Sequence, residues 1–563
     1  MILTTTKGRY RRGEAVAFRL ALTTEEWSRD GLELSLQITH LDREIYREIV
    51  PLGTDPGDLL ELSFSLPEED IPDQARGFGC EGSLLHEGGL VGSDSTAFDF
   101  LEPSPPVIRY GFLCDFGPGD GDSQASLDFL SEFHITHVQF YDWTYRHHQY
   151  RGPAAVFEDT MGKTIDSDAV RRKIEGCQSR GMKALGYGAV YAAGIEYLEE
   201  HPDQALRDAD GSIHNLIDKF FIMDIRPGTG WRSCLMEQYR YAREEAGFDG
   251  IHMDTYGFPK RAYLFRKDGT PGDQITCLEE EFPGLIHETR TVLGDEAVLI
   301  FNNVGNWPVH TTGPAPQDAV YIEVWEPYDR YDHIRQIILG AARYEKPVIL
   351  AAYLAPFRTE ENHGGSRALN AALILHSIIT SLGASHLLVG ENGAVLTQGY
   401  YNDYSPLRPD ERPILRRYYD FQVRYQDRFY DSTLTEISET HTAGENREYF
   451  FSGAPVSADG RPGTVWTLVR EGRRRRVINL INLISQEEAF WNRVKKEPAR
   501  IDEFILEMPV EGEICRAFAA SPDRNNGGAE AVTVEKTRNS RGAALRVVLR
   551  DLSLWTLLVV EWE

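Results

Sequence analysis

Between residues 107 and 430, eight apolar strand-like runs recur, most of them followed by an amphipathic helical pattern. They are IRYGFLCDF (108–116), HVQFYDW (137–143), KALGYGAVY (183–191), FDGIHMDTYG (248–257), AVLIFNNVG (297–305), AVYIEVWEP (319–327), PVILAAYLAP (347–356) and SHLLVGE (385–391). Helix candidates such as DSDAVRRKIEGCQSRG, WRSCLMEQYRYAREEAG and RYDHIRQIILGAARYE lie between them. Near-continuously apolar strands alternating with such helices imply a parallel sheet covered on both faces. Eight such units predict a (β/α)8, or TIM, barrel. An open doubly wound sheet is the competing arrangement, but no Gly-rich phosphate turn follows the first strand.

The flanks have a different period. Residues 15–22, 32–41 and 59–66 alternate in steps of two between turn-rich stretches such as GTDPGD, and the Pro-rich EPSPPV (102–107) follows them. This predicts an Ig-like antiparallel β-sandwich over 1–105 and a barrel over 106–430. After residue 430 short strands return, in EYFFSG, GTVWTLVRE, RRVINLINLI, ALRVVLRD and LWTLLVVEWE, so a second β-sandwich is expected over 431–563. The run Arg473–Arg476 reads as a solvated strand edge at a hairpin.

A net charge of −28 argues against nucleic acid and anionic membrane as partners, which need clustered Lys and Arg. No apolar run is long enough to span a bilayer. The N-terminus carries no signal-peptide pattern, so the expected location is cytoplasmic, or outside the cell for a form whose signal has been removed. The six cysteines are widely spaced and read as free thiols.

In such barrels the reactive groups stand at the C-terminal strand ends. In order these are Asp115, Asp142, Tyr187, Asp254, Asn302 with Asn303, Glu323, Tyr353 and Glu391, joined by the aromatics Tyr141, Trp143, Tyr191, Tyr256 and Trp325. Acids, amides and phenols at one rim describe a polyol-binding pocket. Glycoside cleavage needs two carboxyl groups, one to attack or activate water and one to protonate the leaving oxygen. Strands four and six are expected on opposite sides of the mouth, with Asp254 as nucleophile and Glu323, among apolar neighbours, as acid/base. Glu326 is the rival acid. His252 points the same way as Asp254 and either touches substrate or hydrogen-bonds Asp254. No metal is expected: strand one lacks His-x-His, His134 and His137 flank the start of strand two as structural residues, and no loop has a calcium-ligand pattern. No cofactor is expected either.

At HVQFYDWTYRHH (137–148), GFDGIHMDTYG (247–257) and YIEVWEP (321–327) the sequence resembles glycoside hydrolase family 66, the dextranases and cycloisomaltooligosaccharide glucanotransferases. The resemblance spans nearly the whole chain. It implies a retaining double displacement on α-1,6-linked glucan, dextran or isomalto-oligosaccharide, with Asp254 as nucleophile and Glu323 as acid/base. It further implies that cyclising members carry a module inserted after strand seven. Only a loop and a helix separate Pro356 from Ser385, which favours hydrolysis over cyclisation, and the missing signal favours imported linear or cyclic oligosaccharides as substrate. A transglycosylase and a catalytically silent sugar-binding protein are the alternatives.

Overall fold

The computed structural model of the chain describes residues 1–563 apart from 54–59, 73–74, 102–106, 122–123, 266–269 and 359–366. Most of the Pro-rich joint and most of the GTDPGD turn therefore lie outside the described residues.

All eight apolar runs become strands. They are β1 (Tyr110–Leu113), β2 (His137–Phe140), β3 (Lys183–Ala189), β4 (Gly250–Asp254), β5 (Val298–Val304), β6 (Ala319–Glu323), β7 (Val348–Ala351) and β8 (Ala384–His386). Each pairs in parallel with its sequence neighbour, so their order in the sheet is their order in the chain. The eighth run divides: Ala384–His386 pairs with β7, whereas Val389–Gly390 pairs with β1 through Gly390 and Phe112. Two short antiparallel strands, Ala394–Val395 and Ser405–Pro406, then extend this curled sheet.

Alternation explains why the strands read as continuously apolar. Ile300, Tyr321, Ile349 and Ala351 share one buried cluster with Tyr110, Phe112 and Leu185 on the inner face. Their neighbours Leu299, Phe301, Val320, Ile322 and Leu350 belong to a second cluster, packed against the helices. Each strand thus buries both faces, at roughly 1.5–3 kcal/mol per large apolar side chain. The helices that cover the outer face include Ser167–Ser179, Gly230–Glu244, Leu278–Leu293, Tyr331–Ala342 and Arg367–Ser381. After β5 the covering helix shrinks to Val309–Thr312.

The flanking sequence forms all-β sheets. Ile2–Thr5, Val16–Ala21 and Leu60–Phe64 make one, and a five-stranded sheet of Tyr10–Arg11, Gly89–Leu101, Gly77–His86, Leu32–His40 and Arg43–Pro51 makes the other. Phe18, Phe64, Phe78 and Phe98 fill the core between them. At the C-terminus a seven-stranded and a four-stranded sheet share a core that includes Leu480, Phe504, Leu506, Val547 and Leu558. One expectation fails at the hairpin between Gly472 and Arg475. Arg473 and Arg474 are exposed, but Arg476 is buried, donating to Tyr449 Oη at 2.8 Å and pairing with Glu471 and Glu511.

A charge cluster ties the N-terminal strands to the foot of the parallel sheet. All five N–H groups of Arg109 are used: they reach both oxygens of Asp99, Gln426 Oε1 and the carbonyls of Gly8 and His134. Arg9 donates to Asp99 as well, at 3.0 Å. Burial opposes ionisation of Asp99, but the two guanidinium groups overcome it and hold its carboxyl below the usual range. A depressed carboxyl pKa contributes stability that is present above the unfolded-state value and lost as pH falls towards the folded-state one. Asp99→Ala should therefore cost about 3–5 kcal/mol in urea unfolding at neutral pH, because two buried cations lose their counter-charge. The difference from wild type should shrink as the pH is lowered through the carboxylate range.

Candidate active site

Asp254 ends β4 and Glu323 ends β6, with β5 between them in the sheet. The two strands thus flank β5, in place of the expected position on opposite sides of the mouth. The ladder sets Ala189 beside Asp254, Asn302 beside Tyr321 and Val304 beside Glu323, so one inner face collects the polar strand ends. Gly250 lets β5 approach this closely, since a Cβ there would lie 1.9 Å from the carbonyl oxygen of Val298.

One amide joins the carboxyl groups. Asn302 Nδ2 donates to Asp254 Oδ1 at 2.6 Å and to Glu323 Oε2 at 3.1 Å. Tyr187 donates to the other oxygen of Asp254 at 2.8 Å, and Tyr353 to the other oxygen of Glu323, also at 2.8 Å. Burial, then the charge of Glu323, push Asp254 up to about 7 against the hydrogen bonds from Asn302 and Tyr187. Burial raises Glu323 too, opposed by Asn302 and Tyr353. Such a pair ionises in two steps and is singly protonated in between.

The pair opens into a cavity of about 520 Å3. Tyr141, Asp142, Tyr187, His252, Asn302 and Tyr353 all line it, as do Tyr256 and Trp325. His252 Nδ1 lies 3.0 Å from Tyr110 Oη, so Tyr110 holds the ring rather than Asp254. Burial pushes His252 down to about 3, which keeps the imidazole neutral. Asp142 occupies a left-handed turn (φ 49°) after β2. Burial, aided by the charges of Asp159 and Asp254, lifts it to about 8, so it can donate a hydrogen bond at neutral pH.

Several predicted residues stand apart. Glu391 is 1% exposed and outside the cavity lining. It accepts from Lys173 Nζ at 2.9 and 3.0 Å, from Ser126 Oγ at 2.6 Å and from the backbone of Cys114 and Asp115. Asp115 accepts from Lys163, Tyr404 and Asn392, and is likewise outside the lining. These two therefore brace the strand ends instead of contacting a ligand in the cavity. Oxygens of Asp115 and Glu391 gather with Cys114 Sγ within 4.8 Å, a potential metal set, but the ammonium groups of Lys163 and Lys173 already sit on both carboxylates. Asn303 bonds the backbone of β5 and β6 and Thr312. Trp143 and Tyr191 are core residues, the first donating to the Tyr187 carbonyl and the second accepting from the Tyr256 N–H. Glu326 is exposed beyond the end of β6 and outside the cavity lining. His134 pairs with Asp420 at 2.7 Å and His137 Nδ1 meets Thr136 at 2.9 Å, as structural residues would.

Sequence reasoning missed the loop after β8. Tyr401 stacks on Tyr141 with ring centroids 4.4 Å apart, and its hydroxyl reaches Gln139 and Tyr321. A Cβ on Gly399 would come within 3.2 Å of Glu323 Oε1. Also missed were Leu216, Ile217 and Phe220 from the long connection after β3. The cluster GYYNDY (399–404) was the available signal, but nothing in its period says where a loop will lie.

Paired carboxyl groups at parallel-strand ends, in an aromatic and hydroxyl-rich cavity, define an enzyme of the glycoside hydrolase class. The model described as Glycosyl hydrolase family 66 matches residues 5–559, and the chain belongs to that family. It is 21% identical to a cycloisomaltooligosaccharide glucanotransferase of Niallia circulans, over 99% of this chain and 71% of that protein. It is 20% identical to a dextranase of Streptococcus salivarius, over 94% of this chain and 73% of that one. In structure it is similar to a Paenibacillus sp. cycloisomaltooligosaccharide glucanotransferase complexed with cycloisomaltoheptaose, with a TM-score of 0.85, 18% identity and 99% of each chain covered.

The raised Asp142 gives a stability test. A carboxyl whose folded-state value exceeds its unfolded one favours the fold at low pH, and that contribution is lost as pH climbs from the ordinary value of 3.8 to about 8. Asp142→Asn should match wild type near pH 4 and melt about 2–4 °C higher near pH 8 in scanning calorimetry.

Proposed function

We propose that the protein is a retaining, endo-acting glycoside hydrolase that cleaves α-1,6-glucosidic linkages of dextran or isomalto-oligosaccharides. The substrate class rests on the family and its relatives, and the observation that carries the retaining mechanism is the shared Asn302 amide. Hydrogen bonds of 2.6 and 3.1 Å laid end to end bound the gap between the nearest oxygens of Asp254 and Glu323. That bound is below the roughly 6.5–9.5 Å that an inverting enzyme needs to admit water between its carboxyl groups. The curled sheet is read as a (β/α)8 barrel over 106–430, which the pairing of Gly390 with Phe112 supports. The regions 1–105, Ig-like, and 431–563 are read as flanking sandwich domains.

In the reading adopted, ionised Asp254 attacks the anomeric carbon while protonated Glu323 gives its proton to the departing glycosidic oxygen. The glycosidic C–O bond breaks as the glucosyl–Asp254 ester forms. Glu323, now ionised, takes a proton from water as that water attacks the same carbon and releases Asp254. Hydrogen bonds from Tyr187 and Asn302 favour the carboxylate form of the nucleophile against burial, and Tyr353 aims the acid. Neutral Asp142 and His252 are offered to sugar hydroxyls, and Tyr141 and Trp325 to the apolar faces of the rings.

The second reading, a glucanotransferase, differs only in the acceptor: a sugar hydroxyl replaces water. The names of the relatives support both. Alignment with the Niallia circulans glucanotransferase runs over 716 positions against a chain of 563, so that relative holds residues with no counterpart here, more of them than the dextranase of Streptococcus salivarius, whose alignment runs over 611. This favours hydrolysis.

Time-resolved chromatography of products from dextran and from linear and cyclic isomalto-oligosaccharides tests the choice. Shorter linear products are expected, and cyclic or lengthened ones would overturn the hydrolase reading. Asp254→Ala should lower kcat/KM by about 10^4-fold or more with an unchanged circular dichroism spectrum, whereas Glu326→Gln should leave it within about twofold.

Glu323→Gln removes the charge that helps to raise Asp254. With a substrate whose leaving group needs no protonation, such as an isomaltosyl fluoride, the acid limb of its pH–rate profile should move below that of wild type. An unmoved or rising limb would show that the two carboxyl groups are not coupled.

A further inference from the structure

The connection after β3 carries a hairpin, Asn215–Leu216 against Phe220–Ile222, whose tip reaches the mouth of the cavity. Its turn is closed by the N–H of Lys219 on the carbonyl of Leu216, and both central residues are left-handed, Ile217 at φ 52° and Asp218 at φ 55°. Turns with two left-handed residues are ordinarily built from Asn and Gly, because a branched Cβ crowds the backbone there. Isoleucine is among the worst side chains for the position.

Packing does not explain the choice. Ile217 is 58% exposed, while Phe220 below it is buried and stacked on His147 with ring centroids 4.9 Å apart. The hairpin is nonetheless held. The N–H of Asp218 donates to Asn215 Oδ1 at 3.0 Å, and Lys219 Nζ to the Thr160 carbonyl at 3.1 Å. Among the described residues, the large exposed apolar side chains that line the cavity are Ile217 and Trp325, the latter 44% exposed. They come from the connections after β3 and β6, whose parent strands have β4 and β5 between them in the sheet, with Asp254 ending β4 and Glu323 ending β6. Trp325 stands two residues beyond Glu323, which protonates the leaving group in the proposed reading, and Ile217 belongs to the connection after β3, the strand beside β4 and Asp254.

Building on the α-1,6-glucan reading, we propose that this hairpin is a sugar-contacting lip. Ile217 seats the apolar face of a glucosyl unit beyond those that flank the scissile bond, and so grades substrates by chain length. A strained, uncovered apolar residue at a cleft mouth is what a contact made only with bound ligand leaves behind in the free protein. A short substrate ends before the lip, while a long chain crosses it.

The experiment compares wild type, Ile217→Asn and Ile217→Val on isomaltotriose and on dextran, with melting temperatures alongside. Ile217→Asn relaxes the turn and removes the apolar contact. It should melt about 2 °C higher than wild type and lose about tenfold in kcat/KM on dextran, with isomaltotriose unchanged within about twofold. Ile217→Val should keep the wild-type ratio between the substrates. A dextran-to-isomaltotriose ratio unchanged in Ile217→Asn would overturn the proposal, as would an equal loss on both substrates. A fall in melting temperature would refute the strained turn. Wild type inactive on every α-1,6-glucan would instead sink the reading of function on which the lip rests.

Discussion

The parallel hydrogen-bond ladder sets how far the last side chain of each strand stands beyond that of its neighbour, and the reactive end of the molecule follows from this. With Ala189 beside Asp254 and Val304 beside Glu323, the inner face at the top of β3 to β6 presents two acids, an amide and a phenol within hydrogen-bonding reach. A slip of one residue in β5 would turn Asn302 to the helix side and leave the two carboxyl groups without their common donor. Gly250 secures the register from below, where no Cβ can be accommodated.

What the ladder brings together, burial then makes harder to ionise. Two carboxyl groups with restricted access to water resist ionising together, and the cavity answers with neutral donors, Asn302, Tyr187 and Tyr353, in place of cations. A lysine or arginine at the pair would hold both groups ionised and leave no proton to give. The contrast with Glu391 is instructive. It is also a buried strand-end acid, but Lys173 and Ser126 bind it, so it serves as a brace. The kind of partner, cation or neutral donor, is what distinguishes Glu391 from the Asp254–Glu323 pair.

The flanking sheets meet the parallel sheet through charge as well as apolar contact. Asp99, Arg109 and Arg9 lock the N-terminal strands to the foot of β1, and Trp555 packs on Phe421 and Phe429 from the C-terminal side. Both joints lie away from the cavity lining, which leaves the loops at the strand ends free to be shaped by chemistry.

Much of this was legible in the sequence. Period and length alone identified eight strands, because a strand buried on both faces must be apolar throughout, and strand ends must carry the polar residues. Asp254, Glu323, Asn302, Tyr187 and Tyr353 followed from that rule and sit together as it requires. The same rule also nominated Asp115 and Glu391, since a strand end does not reveal whether a lysine from a distant helix will reach it. That β4 and β6 flank β5 was already implied by eight consecutive barrel units, against the expectation of opposite sides, whereas the bridge of Asn302 between the two acids became visible only with the sheet in hand. Tyr401, which stacks on Tyr141, and Ile217 at the hairpin tip lie on loops, whose course depends on long-range contacts that no local period encodes. The sequence by itself determined the parallel sheet and which residues end its strands; the tertiary structure alone decided which of those ends meet, because only folding sets the distances between side chains.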